Sequence, residues 1–328
     1  MTEMPEVQTA SHKDRSTGLV VFGILEILIG VLAALLAPMT LLGLIASARV
    51  EDAAGTASAA RMMIPGIAFY ILLAIFFIWV GIGSIKARRW ARAVMLIVSW
   101  LWLLAGVLGM VMWIGMMPQF FQHLSQAGVP ESPNILTVIT LIVGVVMAVI
   151  YLILPGIFVL FYRMKSVKQT CEARDPVERW TDRCPLPVLA LVIIMLYGGI
   201  SMLMVVPFGA MPFFGTVLVG VPAIVLILVL AVVMLVAARL CYRMDPVGWW
   251  VSAAIAVVGM VSMAVTFTRM DIVEFYERMG ITGQQLEAIK AYETFTGASM
   301  ILWSVIPLAA YLVFLLYLRR YFKPAVSG

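Results

Sequence analysis

Long apolar runs separated by short polar stretches set the rhythm of this chain. Runs near or above about 20 residues recur from Gly18 to Tyr321, and a bilayer core about 30 Å thick needs about 20 residues of helix to cross it. A membrane barrel would instead alternate apolar and polar positions over about ten residues. The pattern predicts eight transmembrane helices, near 18–46, 62–83, 93–116, 135–162, 187–206, 214–240, 249–267 and 298–321. The first is interrupted by Glu26 and is expected to kink or end near Pro38. A cleaved signal peptide is the rival reading of that run, but the run exceeds the usual apolar core of about 7 to 15 residues.

Composition agrees with the pattern. Hydrophobic residues make up 63% of the chain and charged residues 12%, against about 25% charged in a soluble domain. Mean hydropathy is +1.07. The fold class expected is an all-α polytopic membrane protein.

The second half looks like a diverged copy of the first. Gly30 and Pro38 match Gly199 and Pro207 at an offset of 169 residues, while Pro65 and Lys86 match Pro222 and Arg243 at 157. Phe120 and Phe121 match Phe275 and Tyr276 at 155. One deletion in the first outer loop of the second copy reconciles the offsets. Four helices per copy is an even number, so the sequence predicts two tandem parallel four-helix repeats, unlike the inverted repeats of many transporters. The expected divisions are a tail at 1–17, a first repeat at 18–162, a linker at 163–186, a second repeat at 187–321 with an outer helical hairpin at 268–297, and a tail at 322–328.

Charge then orients the molecule. With the N-terminus inside, all but five of the 22 Lys and Arg fall on inner segments, the five being Arg49, Arg61, Arg269, Arg278 and Lys290. This positive-inside bias predicts cytoplasmic termini and a bacterial cytoplasmic (inner) membrane. The net charge of +5 is thus a signature of topology and of anionic lipid, and points away from nucleic acid. Cys171, Cys184 and Cys241 all fall on the inner side, where a reducing compartment predicts free thiols. A closed zinc site wants four ligands, and His12 is the one inner histidine, so no metal or cofactor is expected.

The linker is the most densely charged stretch. Asp175-Pro176-Val177-Glu178 reads as an N-cap, a proline at the first helical position and a capping-box glutamate, predicting a short helix that carries Trp180. Arg163, Lys165, Lys168, Arg179, Trp180 and Arg183 are the candidates for contact with lipid headgroups or a cytoplasmic partner; the plainer reading is a linker lying on the membrane with its charges paired locally. On the outer side, Asp271 and Glu274 form a capping box, Gly280 reads as a helix end, and Thr282 to Gln285 starts a second helix with Leu286, Ile289 and Tyr292 on one side. A helical hairpin over the outer mouth is expected. Ala105 with Gly109, and Ser252 with Ala256, are small pairs that would let helices approach closely.

Chemistry within the membrane narrows to Glu26, the one ionisable group inside the spans. Eight residues past Gly18, at 1.5 Å each, place it about 12 Å deep, near the midplane. It reads as a ligand-binding or proton site, against a neutral, hydrogen-bonded packing group or one whose helix starts deeper; its counterpart in the second copy is Met195. Enzyme signatures are missing: there is no HExxH, Walker or Rossmann pattern, and Gly199-Ile-Ser201 is half of a nucleophile elbow without a partner base. The reading is a non-catalytic membrane scaffold or partner subunit, in contact with the lipid bilayer and with a membrane or cytoplasmic protein. The alternative is a carrier or binder of a small apolar or lipid-like molecule between the two bundles, with Glu26 as its polar handle.

Overall fold

The computed structural model describes residues 14–49, 53–126, 133–290 and 297–322. Most of both expected tails, and the end of the outer hairpin including Tyr292, lie outside them. Helices α1 (Ser16–Ser47), α2 (Ala53–Ile85), α3 (Arg89–Gln126), α4 (Pro133–Ala148) and α5 (Leu154–Tyr162) precede a short linker helix, α6 (Lys165–Arg174). After it come α7 (Leu186–Val205), α8 (Val221–Tyr242), α9 (Pro246–Phe267), α10 (Ile272–Arg278), α11 (Gln284–Lys290) and α12 (Gly297–Leu318). Among the described residues seven helices are long and apolar enough to cross a membrane: α1, α2, α3, the run from Val138 to Tyr162, α7, α8 and α9. The chain is an integral membrane protein of predominantly helical fold. The last expected span coincides with α12.

Two boundaries differ from expectation. The helix α1 continues through Pro38 to Ser47, and α2 starts at Ala53, well before Met62. The alanine-rich stretch read as a loop has high intrinsic helix propensity, and its extra turns find partners: Arg61 donates to the carbonyls of Met279 and Gly280, and the amide of Thr282 donates to Ser58 Oγ at 3.1 Å.

Between α7 and α8 the sequence reading missed a β-hairpin. Strands β1 (Ala210–Phe213) and β2 (Thr216–Val219) pair antiparallel with Phe213 opposite Thr216. Phe214 and Gly215 form the two-residue loop with φ of 44° and 92°, the left-handed pair that a tight hairpin requires. Its two amides are held from α9: Phe214 N donates to Ser262 Oγ and Gly215 N to Thr266 Oγ1, both at 3.1 Å. Ala210, Val217, Met270, Met279 and Ile281 form a small core under this cap. The expected helical hairpin is present in α10 and α11, with Asp271 capping α10 by accepting from Glu274 N at 2.7 Å.

Helix contacts rest on small residues. A Cβ on Gly23 would lie 2.7 Å from the Gly81 carbonyl, and one on Gly81 equally close to that of Gly23, so α1 and α2 touch backbone to backbone. Gly30 packs on the Ala74 carbonyl and Ile78; in α7, Gly199 packs on the Ala231 carbonyl and Leu235. Against α3, the contact centres on Gly106, and Gly109 faces open space. Pro155 has no N–H for the carbonyl of Tyr151 four residues back, the chain passes through a π turn at Val149–Ile153, and a Cβ on Gly106 would clash with that carbonyl at 2.0 Å. Ala93 and Ile97 of α3 join Val188, Leu189 and Val192 of α7 in one buried cluster, which holds the two sets of helices together.

The turns after α2 and α8 are built alike. Ala87 and Met244 take φ of 49° and 56°, positions that non-glycine residues seldom adopt. The amides of Lys86, Ala87 and Arg88 donate to Ile82, Ser84 and Gly83; those of Arg243, Met244 and Asp245 donate to Arg239, Cys241 and Leu240. Every donor and acceptor of the second turn lies 157 residues after its equivalent in the first.

Candidate functional site

Glu26 is fully buried, where α1 meets the ends of α2 and α5. Tyr162 Oη is 2.6 Å from Oε1, Ser84 Oγ is 2.9 Å from Oε2, and the two hydroxyls are 2.9 Å from each other. Three oxygen pairs at hydrogen-bond distance need three protons. The two hydroxyls supply two, Tyr162 Oη donating to Oε1 and Ser84 Oγ to Oε2; a carboxyl in its neutral form would supply the third and close the ring. An ionised carboxylate would leave the Tyr162–Ser84 pair with no proton between them. The ring ties α1, α2 and α5 together at a buried point.

Ser84 is the penultimate residue of α2 and Tyr162 the last of α5, so the partners of the carboxyl come from the linker-side helix ends. The start of α1 runs beside α6, where Arg15 N donates to Thr170 Oγ1 at 3.0 Å.

The two-copy alignment expected from the sequence sets other groups against these three. With Phe158 to Arg163 laid over Phe314 to Arg319, Glu26, Ser84 and Tyr162 fall opposite Met195, Cys241 and Leu318. All three are buried in a single apolar cluster.

The linker is organised around Asp175, 1% exposed. Its Oδ1 accepts from Arg88 Nη1 at 3.3 Å, its Oδ2 from the amide of Arg89 at 3.3 Å, and Arg179 grips both oxygens through Nε and Nη2 at 2.5 to 3.1 Å. The expected helix from Asp175 is therefore absent. The helix lies before it, as α6, and Trp180 sits in a 3₁₀ turn at Trp180–Asp182. The reason is competition: Asp175 caps the first turn of α3 instead of a helix of its own. The Arg179 guanidinium holds its carboxyl below the usual carboxylate range, with the Arg89 amide and Arg88 adding to the effect. On its other side the linker reaches α8, where Tyr242 Oη donates to the Trp180 carbonyl at 2.9 Å.

The remaining linker candidates divide. Arg179 is engaged with Asp175, and Lys168 pairs with Glu172 at 3.7 Å on the surface. Arg163, Lys165, Trp180 and Arg183 are exposed, and Arg163, Lys165 and Arg183 have no carboxylate partner among the described residues. Cys171 and Cys184 are buried free thiols, and burial pushes each up to about 11. A separate open groove of about 500 Å³ lies between α3 and α4, walled by Met110, Trp113, Ile114, Leu141, Gly144 and Leu152 among others; Glu26 is not in its wall.

Comparison with protein-family models, with curated proteins and with solved structures finds no match to this chain.

Proposed function

We propose that the chain is a non-catalytic scaffold or partner subunit of the bacterial cytoplasmic membrane. In this reading it has eight spans arranged as two tandem parallel four-helix repeats, with both termini in the cytoplasm. The observation that carries it is the closed ring at Glu26: the single carboxyl within the spans is consumed by helix packing, and the second half manages the same junction with Met195, Cys241 and Leu318. The matching hydrogen bonds of the two turns, and the like seats of Gly30 and Gly199, support the repeat. The exposed face of the linker, with Val177 and Trp180 beside Arg183, is the surface offered to a partner.

Native mass spectrometry of protein extracted in mild detergent, wild type beside Glu26→Gln, tests this reading. A protein partner retained equally by both is the expected result. A small molecule bound to wild type and lost from Glu26→Gln would overturn it. Infrared spectroscopy adds a direct check, since the neutral carboxyl predicts a protonated C=O stretch that vanishes in Glu26→Gln. For topology, single cysteines at Glu178 and Glu274 should react with an impermeant maleimide only from the cytoplasm and only from outside, respectively. The second reading, a binder of an apolar molecule, is favoured by the α3–α4 groove and would place the ligand there, away from Glu26.

A further inference from the structure

At the linker-side end of α9 and α12 lies a cavity of about 610 Å³ lined by Trp249, Trp250, Leu316, Arg319, Arg320 and Phe322, with Pro246 at its edge. The volume is in the range of ligand sites. Its aromatic wall is fixed: Trp249 Nε1 donates to the Leu315 carbonyl at 2.7 Å, and the Arg319 guanidinium lies over the Trp249 ring at 5.9 Å. Arg320 stacks on Tyr317 and Tyr321, at 4.0 and 4.8 Å from their centroids, and donates to both hydroxyls. Among the described residues neither arginine has a carboxylate at ion-pair distance, whereas Arg88, Arg89, Arg174 and Arg179 of the linker region all do. Asp245, next to Pro246, has Oδ1 bound to the amide of Val247. Beside the two guanidinia, Trp250 and Leu316 are 61% and 62% exposed.

We infer that this cavity binds the headgroup of an anionic phospholipid, its phosphate held by Arg319 and Arg320 and an acyl chain lying along Trp250 and Leu316. Two guanidinia held apart from any carboxylate suit a phosphate oxyanion, which arginine grips through paired N–H donors. Tryptophans at a helix end mark the headgroup level, and basic pockets between helices at that level suit anionic lipids. The inference is independent of the scaffold reading and of which way the chain faces.

The test uses the full chain reconstituted with phosphatidylglycerol or phosphatidylcholine, extracted in mild detergent and weighed by native mass spectrometry. Wild type should retain phosphatidylglycerol, and Arg319→Gln with Arg320→Gln should lower that retention about tenfold while leaving phosphatidylcholine unchanged. Both arginines are exposed, so the pair should keep its thermal midpoint. Arg163→Gln with Lys165→Gln, exposed on the same side, should retain the lipid as wild type does. Equal loss in the two pairs would reduce the effect to general surface charge and overturn the site, as would unchanged retention in the first pair. Displacement of the lipid by millimolar inorganic phosphate would overturn the lipid as occupant and leave soluble phosphate in its place.

Discussion

After α8 the chain turns through Met244 and meets Asp245, whose carboxylate accepts from the amide of Val247 at 2.9 Å and so caps α9 from within. After α2 it turns through Ala87, bond for bond the same, and meets Arg88, whose side chain cannot accept a hydrogen bond. The cap of α3 comes instead from Asp175, 86 residues beyond Arg89 and in the linker. One turn is self-sufficient and the other borrows. A like contrast holds at Glu26, Ser84 and Tyr162, which form a polar ring, while Met195, Cys241 and Leu318 lie in one buried apolar cluster. A single backbone geometry therefore tolerates either chemistry, provided that every buried polar group finds its complement.

The largest effect expected from breaking this contrast is at Asp175. Asp175→Ala should cost about 3 kcal/mol of stability, the low end for removing one member of a buried ion pair, because Arg88 and Arg179 both reach solvent; denaturant unfolding in detergent measures it. The same residue sets a pH dependence. Its carboxyl is held below its ordinary value of about 3.9, so its contribution is present in full above that value and is lost as pH falls through the lowered one. The stability gap between wild type and Asp175→Asn should close in that acid range, and a gap that persists at the lowest pH would contradict the assignment.

Next in size is Tyr162→Phe, which opens the ring and leaves Glu26 Oε1 without its hydroxyl partner, at about 2 kcal/mol. Asp245→Ala should cost about 1 kcal/mol, the usual value of a helix N-cap, and a cost equal to that of Asp175→Ala would erase the distinction between the two turns. Smallest is the graft of the second junction onto the first, Glu26→Met with Ser84→Cys and Tyr162→Leu. All polar partners leave together, so its stability should stay within about 1 kcal/mol of wild type; a loss larger than that of Tyr162→Phe would mean that the ring does more than pack.

The membrane class and most helix positions were legible because apolar length is a strong signal, and the N-cap at Asp271 was legible because its partner is local. Asp175 carried the same local pattern and misled, since its partners Arg88 and Arg89 are distant in sequence and outcompete a cap of its own. The β-hairpin was hidden in an apolar run, where Phe214-Gly215 lacks the polar turn residues that usually announce one. Glu26 stood out as a buried carboxyl, but neither Tyr162 nor Ser84 could be assigned to it: both sit at helix ends, and helix order alone does not say which ends meet.

The borrowed cap also bears on synthesis. As the chain emerges N-terminus first, the turn between α2 and α3 forms without the carboxylate that caps it, and it stays so until residue 175 has been made. By contrast, the turn between α8 and α9 is complete as soon as Val247 appears. The first four spans are thus completed by a segment translated after all of them, so a chain cut short of Asp175 lacks the cap of its own third span.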